Sequence, residues 1–195
     1  MLQKISETSL LYDGCQGTFT WPGTKPSFIC VVGQLPLQHG ATVHRLKVFE
    51  ESETLNLSDL IRLCSTLGSV HNIKYWLVDM EGDLSDYLDV FYGFCDQENI
   101  KNISLVQPVL SQRMPLALNI LRRRFAQGTL TIPQESILAK KINLLDQEDP
   151  LQQRLEEKYP EVLALASIVH YMEVSPINPN PEPLEQQAPP TPWCL

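Results

Sequence analysis

Three carboxylates stand where a folded chain can put them to chemical use. Asp13 ends the apolar run in TSLLYDG, Asp79 closes KYWLVD, and Glu161 follows Pro160 in KYPEVLALASIV. A side chain at the end of a strand sits on rigid scaffold beside an open loop. One in the first turn of a helix lies where the macrodipole favours negative charge. Hard divalent cations take oxygen ligands, so these three, if they converge, could hold Mg2+ or Mn2+. Two such ions about 3.5 to 4 Å apart activate a water and stabilise the leaving oxygen in phosphodiester cleavage. Each placement also has a purely structural use: Asp13 in a turn, Asp79 capping a strand end, Glu161 as partner of a helix dipole.

Cations that could meet phosphates cluster later in the chain. Arg122, Arg123 and Arg124 follow Arg113 and precede Lys140 and Lys141. Successive helical residues are turned by about 100°, so the three arginines cannot share one face. Arg122, Arg123 and Lys140 are the candidate phosphate contacts. Glu81, Asp83, Asp86 and Asp89 make the stretch after Asp79 acidic, with Glu81 a possible auxiliary ligand and the others the solvated face of a helix. The four histidines are scattered without ligand spacing. The five cysteines form no C-x-x-C pair, which predicts reduced thiols rather than a disulfide framework or a zinc site.

The elements that must position these residues follow from periodicity. Thr8–Asp13, Ser27–Gln34 and Ala41–Glu50 read as strands, the first two separated by the turn-rich GCQGTFTWPGTKP and the last two close enough for a hairpin. Leu57, Leu60, Ile61, Cys64 and Leu67 recur at helical spacing, with Gly68 as the expected stop. Thereafter strand and helix alternate: a strand at Lys74–Asp79, a helix at Leu84–Phe94, a strand at Ile103–Gln107. Helices follow at Leu116–Gln127, Gln134–Leu145 and Pro160–Glu173. Alternation of this kind implies parallel pairing through crossovers. The expected class is therefore α/β, a mixed sheet of three antiparallel strands and then parallel ones, flanked by helices.

This order of elements resembles the RNase H-like fold. The stretch SQRMPLALNILRRRFAQGTLTIPQESILAKKINLL sharpens the resemblance to the nuclease domain of phage terminase large subunits, where a basic helix leads into a G-x-L-x-I-P phrase and a further helix. On that resemblance Asp13, Asp79 and Glu161 match the acidic metal ligands of the first strand, the fourth strand and the closing helix. Glu161 stands where Asp is commoner, and GCQGTFTWPGT after Asp13 matches no pattern of the family. The chain has no G-x-x-x-x-G-K-[ST] loop, so no ATPase activity is expected.

Composition bounds the rest. The 195 residues carry a formal charge of -8, the wrong sign for a protein that grips nucleic acid over its whole surface. DNA contact should be local, and a protein partner could supply affinity. Residues 1–173 are expected to form one domain; residues 174–195 contain seven prolines and are expected to be a disordered tail. Neither a signal peptide nor an apolar run long enough for a membrane is evident, which makes a cytoplasmic location the expectation. Two functions follow: a metal-dependent DNA endonuclease, or the same fold kept as a catalytically inactive interaction module of a phage or mobile-element protein.

Overall fold

The computed structural model describes residues 12–23, 25–37, 39, 41–79, 85–106, 114–145 and 159–174. The proline-rich tail beyond residue 174, with Cys194, lies outside the described residues, as do Glu81, Asp83 and Arg113. The other four cysteines are free thiols. No helix among the described residues is long and apolar enough to cross a membrane.

The chain forms β1 (Gly14–Thr20), β2 (Ser27–Gln34), β3 (Leu46–Thr54), α1 (Leu57–His71), β4 (Tyr75–Asp79), α2 (Ser85–Gln97), β5 (Ser104–Val106), α3 (Met114–Ala126), β6 (Leu130–Thr131), α4 (Ile137–Leu145) and α5 (Pro160–Val174). The six strands lie in the order β5-β4-β1-β2-β3-β6. β2 is antiparallel to both β1 and β3, while β4, β5 and β6 are parallel to their neighbours. This is the mixed sheet that the alternation of elements predicts. Every strand except β2 therefore begins at one end of the sheet, its N-terminal end, and finishes at the other.

Helices cover both faces. Phe28, Cys30, Val32, Leu46, Val48 and Leu77 pack with residues of α3, α4 and α5. Phe19, Ile29, Val31, Trp76 and Val78 pack with residues of α1 and α2. All of β2 is buried, which is why SFICVVGQ reads as a near-continuous apolar run rather than an alternating one. α5 is buried along almost its whole length, consistent with a helix apolar on every side.

One expected element is misplaced. The first strand is not Thr8–Asp13: residues 8–11 lie outside the described ones, Tyr12 and Asp13 precede the strand, and the strand itself is GCQGTFT. Its glycines and polar residues conceal it from pattern reading, yet it is central, hydrogen-bonded to β2 on one side and β4 on the other. Gly17 is needed because the indole of Trp76 lies where a Cβ would be, a use of strand glycine that periodicity cannot reveal. The hairpin turn that follows is closed by Ser27 Oγ donating to the Thr20 carbonyl at 2.8 Å and by the Phe28 N–H donating to Thr20 Oγ1 at 2.9 Å. β3 begins five residues later than expected, and α1 runs through Gly68 to end at Asn72, whose left-handed conformation (φ 54°) makes the cap.

His71, in the last turn of α1, is 4% exposed, meets the Phe49 ring edge-on at 4.9 Å, and has no hydrogen-bond partner for either ring nitrogen. Burial holds its pKa below the ordinary histidine value. The folded state therefore binds fewer protons than the unfolded state around and below that value, so stability falls as pH drops through the histidine range. Urea titrations at stepped pH should show this fall, and His71→Phe should flatten it.

Candidate functional site

The three candidate carboxylates do not share one place. Asp79 is the last residue of β4 and lies opposite Thr20, the last of β1; its side chain is outside the described residues. Asp13 precedes β1 by one residue, its N–H donating to the Gln34 carbonyl at 2.8 Å. Seven positions therefore separate Asp13 from the level of Asp79, about 23 Å at roughly 3.3 Å per residue. Asp13 lies instead beside His44, with Oδ2 3.8 Å from Nδ1.

Glu161 is placed by α5. Arg124, near the end of α3, donates through Nη1 to the His44 carbonyl at 2.8 Å and through Nε to Glu173 Oε2 at 2.9 Å. This ties the last turn of α5 to the N-terminal end of the sheet. Twelve residues earlier, about 18 Å along the helix, Glu161 stands at the C-terminal end. Its side chain is 10% exposed; Lys141 Nζ of α4 approaches Oε1 at 3.5 Å, while Oε2 is buried without a partner. The structure thus places Asp79 and Glu161 at one end of the sheet and Asp13 at the other.

For a residue of β1 to join them it would have to occupy the last positions of the strand, on the face toward α5. Gln16 and Thr18 lie opposite Val32 and Cys30 of that face, because directly paired residues point the same way, and Thr20 continues the alternation. None is a carboxylate. Thr18 is fully buried and its Oγ1 has no partner. Asp13 begins β1 rather than ending a strand, which puts it at the other end of that strand from the level of Asp79. Among the described residues no cluster of three His, Cys, Asp or Glu residues is placed to hold a metal ion.

The strand order β5-β4-β1-β2-β3-β6, with β2 antiparallel and the others parallel, agrees with the RNase H-like arrangement that the sequence resembles. Comparison with solved structures finds likenesses to the human cytomegalovirus terminase nuclease domain in a manganese-soaked, inhibitor-bound form (12% identity, 83% of each chain, TM-score 0.47). The nuclease domain of the large terminase subunit gp2 of bacterial virus Sf6 is also similar (12% identity, 88% of this chain and 95% of that one, TM-score 0.46). So is the fowlpox virus Holliday junction resolvase (12%, 82% and 98%, TM-score 0.40). No protein-family description matches the chain, and no curated protein does.

The expected phosphate contacts are also divided. Arg122 is exposed near the end of α3, and Arg123 pairs with Glu173. Both lie at the N-terminal end of the sheet, away from Glu161. Lys140 is exposed on α4, next to the Lys141 that meets Glu161.

Sequence reading missed Glu51. Its two oxygens accept from the N–H groups of Ile137 at 2.8 Å and Leu138 at 3.3 Å, so a residue of β3 caps the start of α4, the helix that delivers Lys141 to Glu161. Nothing local signals it, since the capped helix starts 86 residues away. Glu51→Ala should cost about 1 kcal/mol in urea unfolding, and Glu51→Gln, which keeps one acceptor, less.

Proposed function

We propose that this chain is an RNase H-like interaction module of a phage or mobile-element protein that does not cleave DNA through Asp13, Asp79 and Glu161. The observation that carries this reading is the face of β1 toward α5. Where a third carboxylate would have to stand beside Asp79 and Glu161, the strand offers Gln16, Thr18 and Thr20, and Asp13 is at the opposite end. The net charge of -8 agrees, since unscreened carboxylates repel a phosphate backbone.

One observation favours a second reading, a divalent-metal-dependent endonuclease in which Asp79 and Glu161 remain ligands. Glu161 Oε2 is buried and unpartnered, and a bound cation would satisfy it. Mg2+ or Mn2+ there would supply Lewis-acid stabilisation of a phosphodiester, Glu161 would hold it, and Lys141 would lie beside the same carboxylate.

Supercoiled plasmid incubated with the full chain and manganese, magnesium or chelator separates the two. The module reading expects no metal-dependent nicking and no difference between the natural chain and Glu161→Gln. Metal-dependent nicking lost in both Asp79→Ala and Glu161→Gln overturns it in favour of the nuclease.

A further inference from the structure

We infer that the N-terminal end of the sheet, opposite the end that carries Asp79 and Glu161, is a surface for a nucleic-acid backbone. Cations gather there although the chain as a whole is acidic. Lys74 immediately precedes β4 and Lys101 lies three residues before β5; Arg45 immediately precedes β3 and Lys47 is its second residue. Arg122 reaches the same end through α3, whose neighbouring Arg124 is bonded to the His44 carbonyl. All five are exposed, and among the described residues none of them is in an ion pair.

Two anions of this end, among the described residues, are already engaged. Glu173 is shared by Arg123 and Arg124, and Asp13 faces His44. The C-terminal end carries more anions, with Glu53, Asp79 and Glu161 on the sheet and α5 and Asp59 and Asp86 in the first turns of α1 and α2, against Lys25 of the β1–β2 turn and the Lys141 already paired with Glu161. A polyanion that approached the molecule would be turned toward the basic end.

The width of the rim suits a phosphate backbone. From β5 to β3 there are four strand spacings, about 19 Å, room for about five phosphates at roughly 3.4 Å of helix axis each. Tyr75, 41% exposed beside Lys74, adds an aromatic face that a sugar or an unpaired base can cover. This surface does not depend on whether the opposite end cleaves anything.

The test is fluorescence anisotropy of a labelled duplex and a labelled single strand with the full chain across a salt series, in chelator. The natural chain should bind with a log affinity that falls linearly with log salt. Lys47→Glu/Lys74→Glu/Lys101→Glu should bind at least about tenfold more weakly and lower the duplex slope by roughly 2 to 3, close to 0.9 per lost contact. Tyr75→Ala should weaken the single strand more than the duplex. Lys25→Glu, in the turn between β1 and β2 at the opposite end of the sheet, should leave both unchanged. Circular dichroism of the triple variant should match the natural chain, since all three side chains are exposed. Absence of salt-dependent binding, an equal loss with Lys25→Glu, or displacement by polyglutamate as effective as by DNA would overturn the assignment, the last pointing to an acidic protein partner.

Discussion

Gly17→Ala should be the most damaging single-methyl change in this protein. The added Cβ would fall within the indole of Trp76, against Cζ3, Cε3 and Cη2. Trp76 is fully buried, with Phe19 tilted against it at 6.4 Å, so the ring has no free space to enter. Overpacking of a well-filled core costs about 1–3 kcal/mol and occasionally more; here the loss should be about 3 kcal/mol, or about 6–12 °C in Tm for a chain of this size. Urea unfolding should show a lower midpoint at constant slope. Trp76→Leu alone leaves a cavity and destabilises as well. Combined with Gly17→Ala it should cost clearly less than the two single losses together, because the new methyl enters the vacated space. Additivity of the two would mean that the glycine is required for its backbone rather than for the contact.

The second large effect concerns the arginine run. Glu173→Leu should destabilise the protein by about 3 kcal/mol. The Arg124 side chain is only 6% exposed, and without Glu173 its charge would be left with the His44 carbonyl alone. Breaking a buried ion pair by removing one partner costs about 3–5 kcal/mol, whereas replacing both with apolar groups is often neutral. The 27% exposure of Glu173 lets water reach the site, which sets the expectation at the lower end of that range. Arg124→Met/Glu173→Leu should therefore recover most of the loss in the same unfolding measurement. Were the double variant as unstable as the sum of the singles, the pair would contribute by its hydrogen bonds to the backbone rather than by compensating two charges. Arg124 is thus a strut between α3, α5 and the start of β3, and of the three arginines only Arg122 is exposed without an ion-pair partner among the described residues.

The sequence was most legible where local pattern and tertiary burial agree. Ser27–Gln34 is read to the residue, because a strand covered on both faces must be apolar throughout. α5 is read almost to the residue as well, because Pro160 and the following apolar run define a buried helix. Illegible elements were those whose meaning depends on a distant partner. GCQGTFT looks like a turn until Trp76 is seen to need Gly17, and Leu130–Thr131 gains its strand character only by pairing with Leu46 and Lys47.

The candidate site suffered from the same division. That Asp79 ends a strand and Glu161 opens a helix is written in hydrophobic periodicity, a property of neighbours along the chain. Whether such residues meet is decided by strand direction and register. A shift of the first strand from Thr8–Asp13 to Gly14–Thr20 carried Asp13 from one end of the sheet to the other. The sequence by itself determined the helices, the buried strand Ser27–Gln34, the mixed character of the sheet and the acidic balance, because these follow from periodicity and composition. Only the tertiary structure decided which charges share an end, because side chains far apart in the chain are brought together by pairing across strands, which no local pattern encodes.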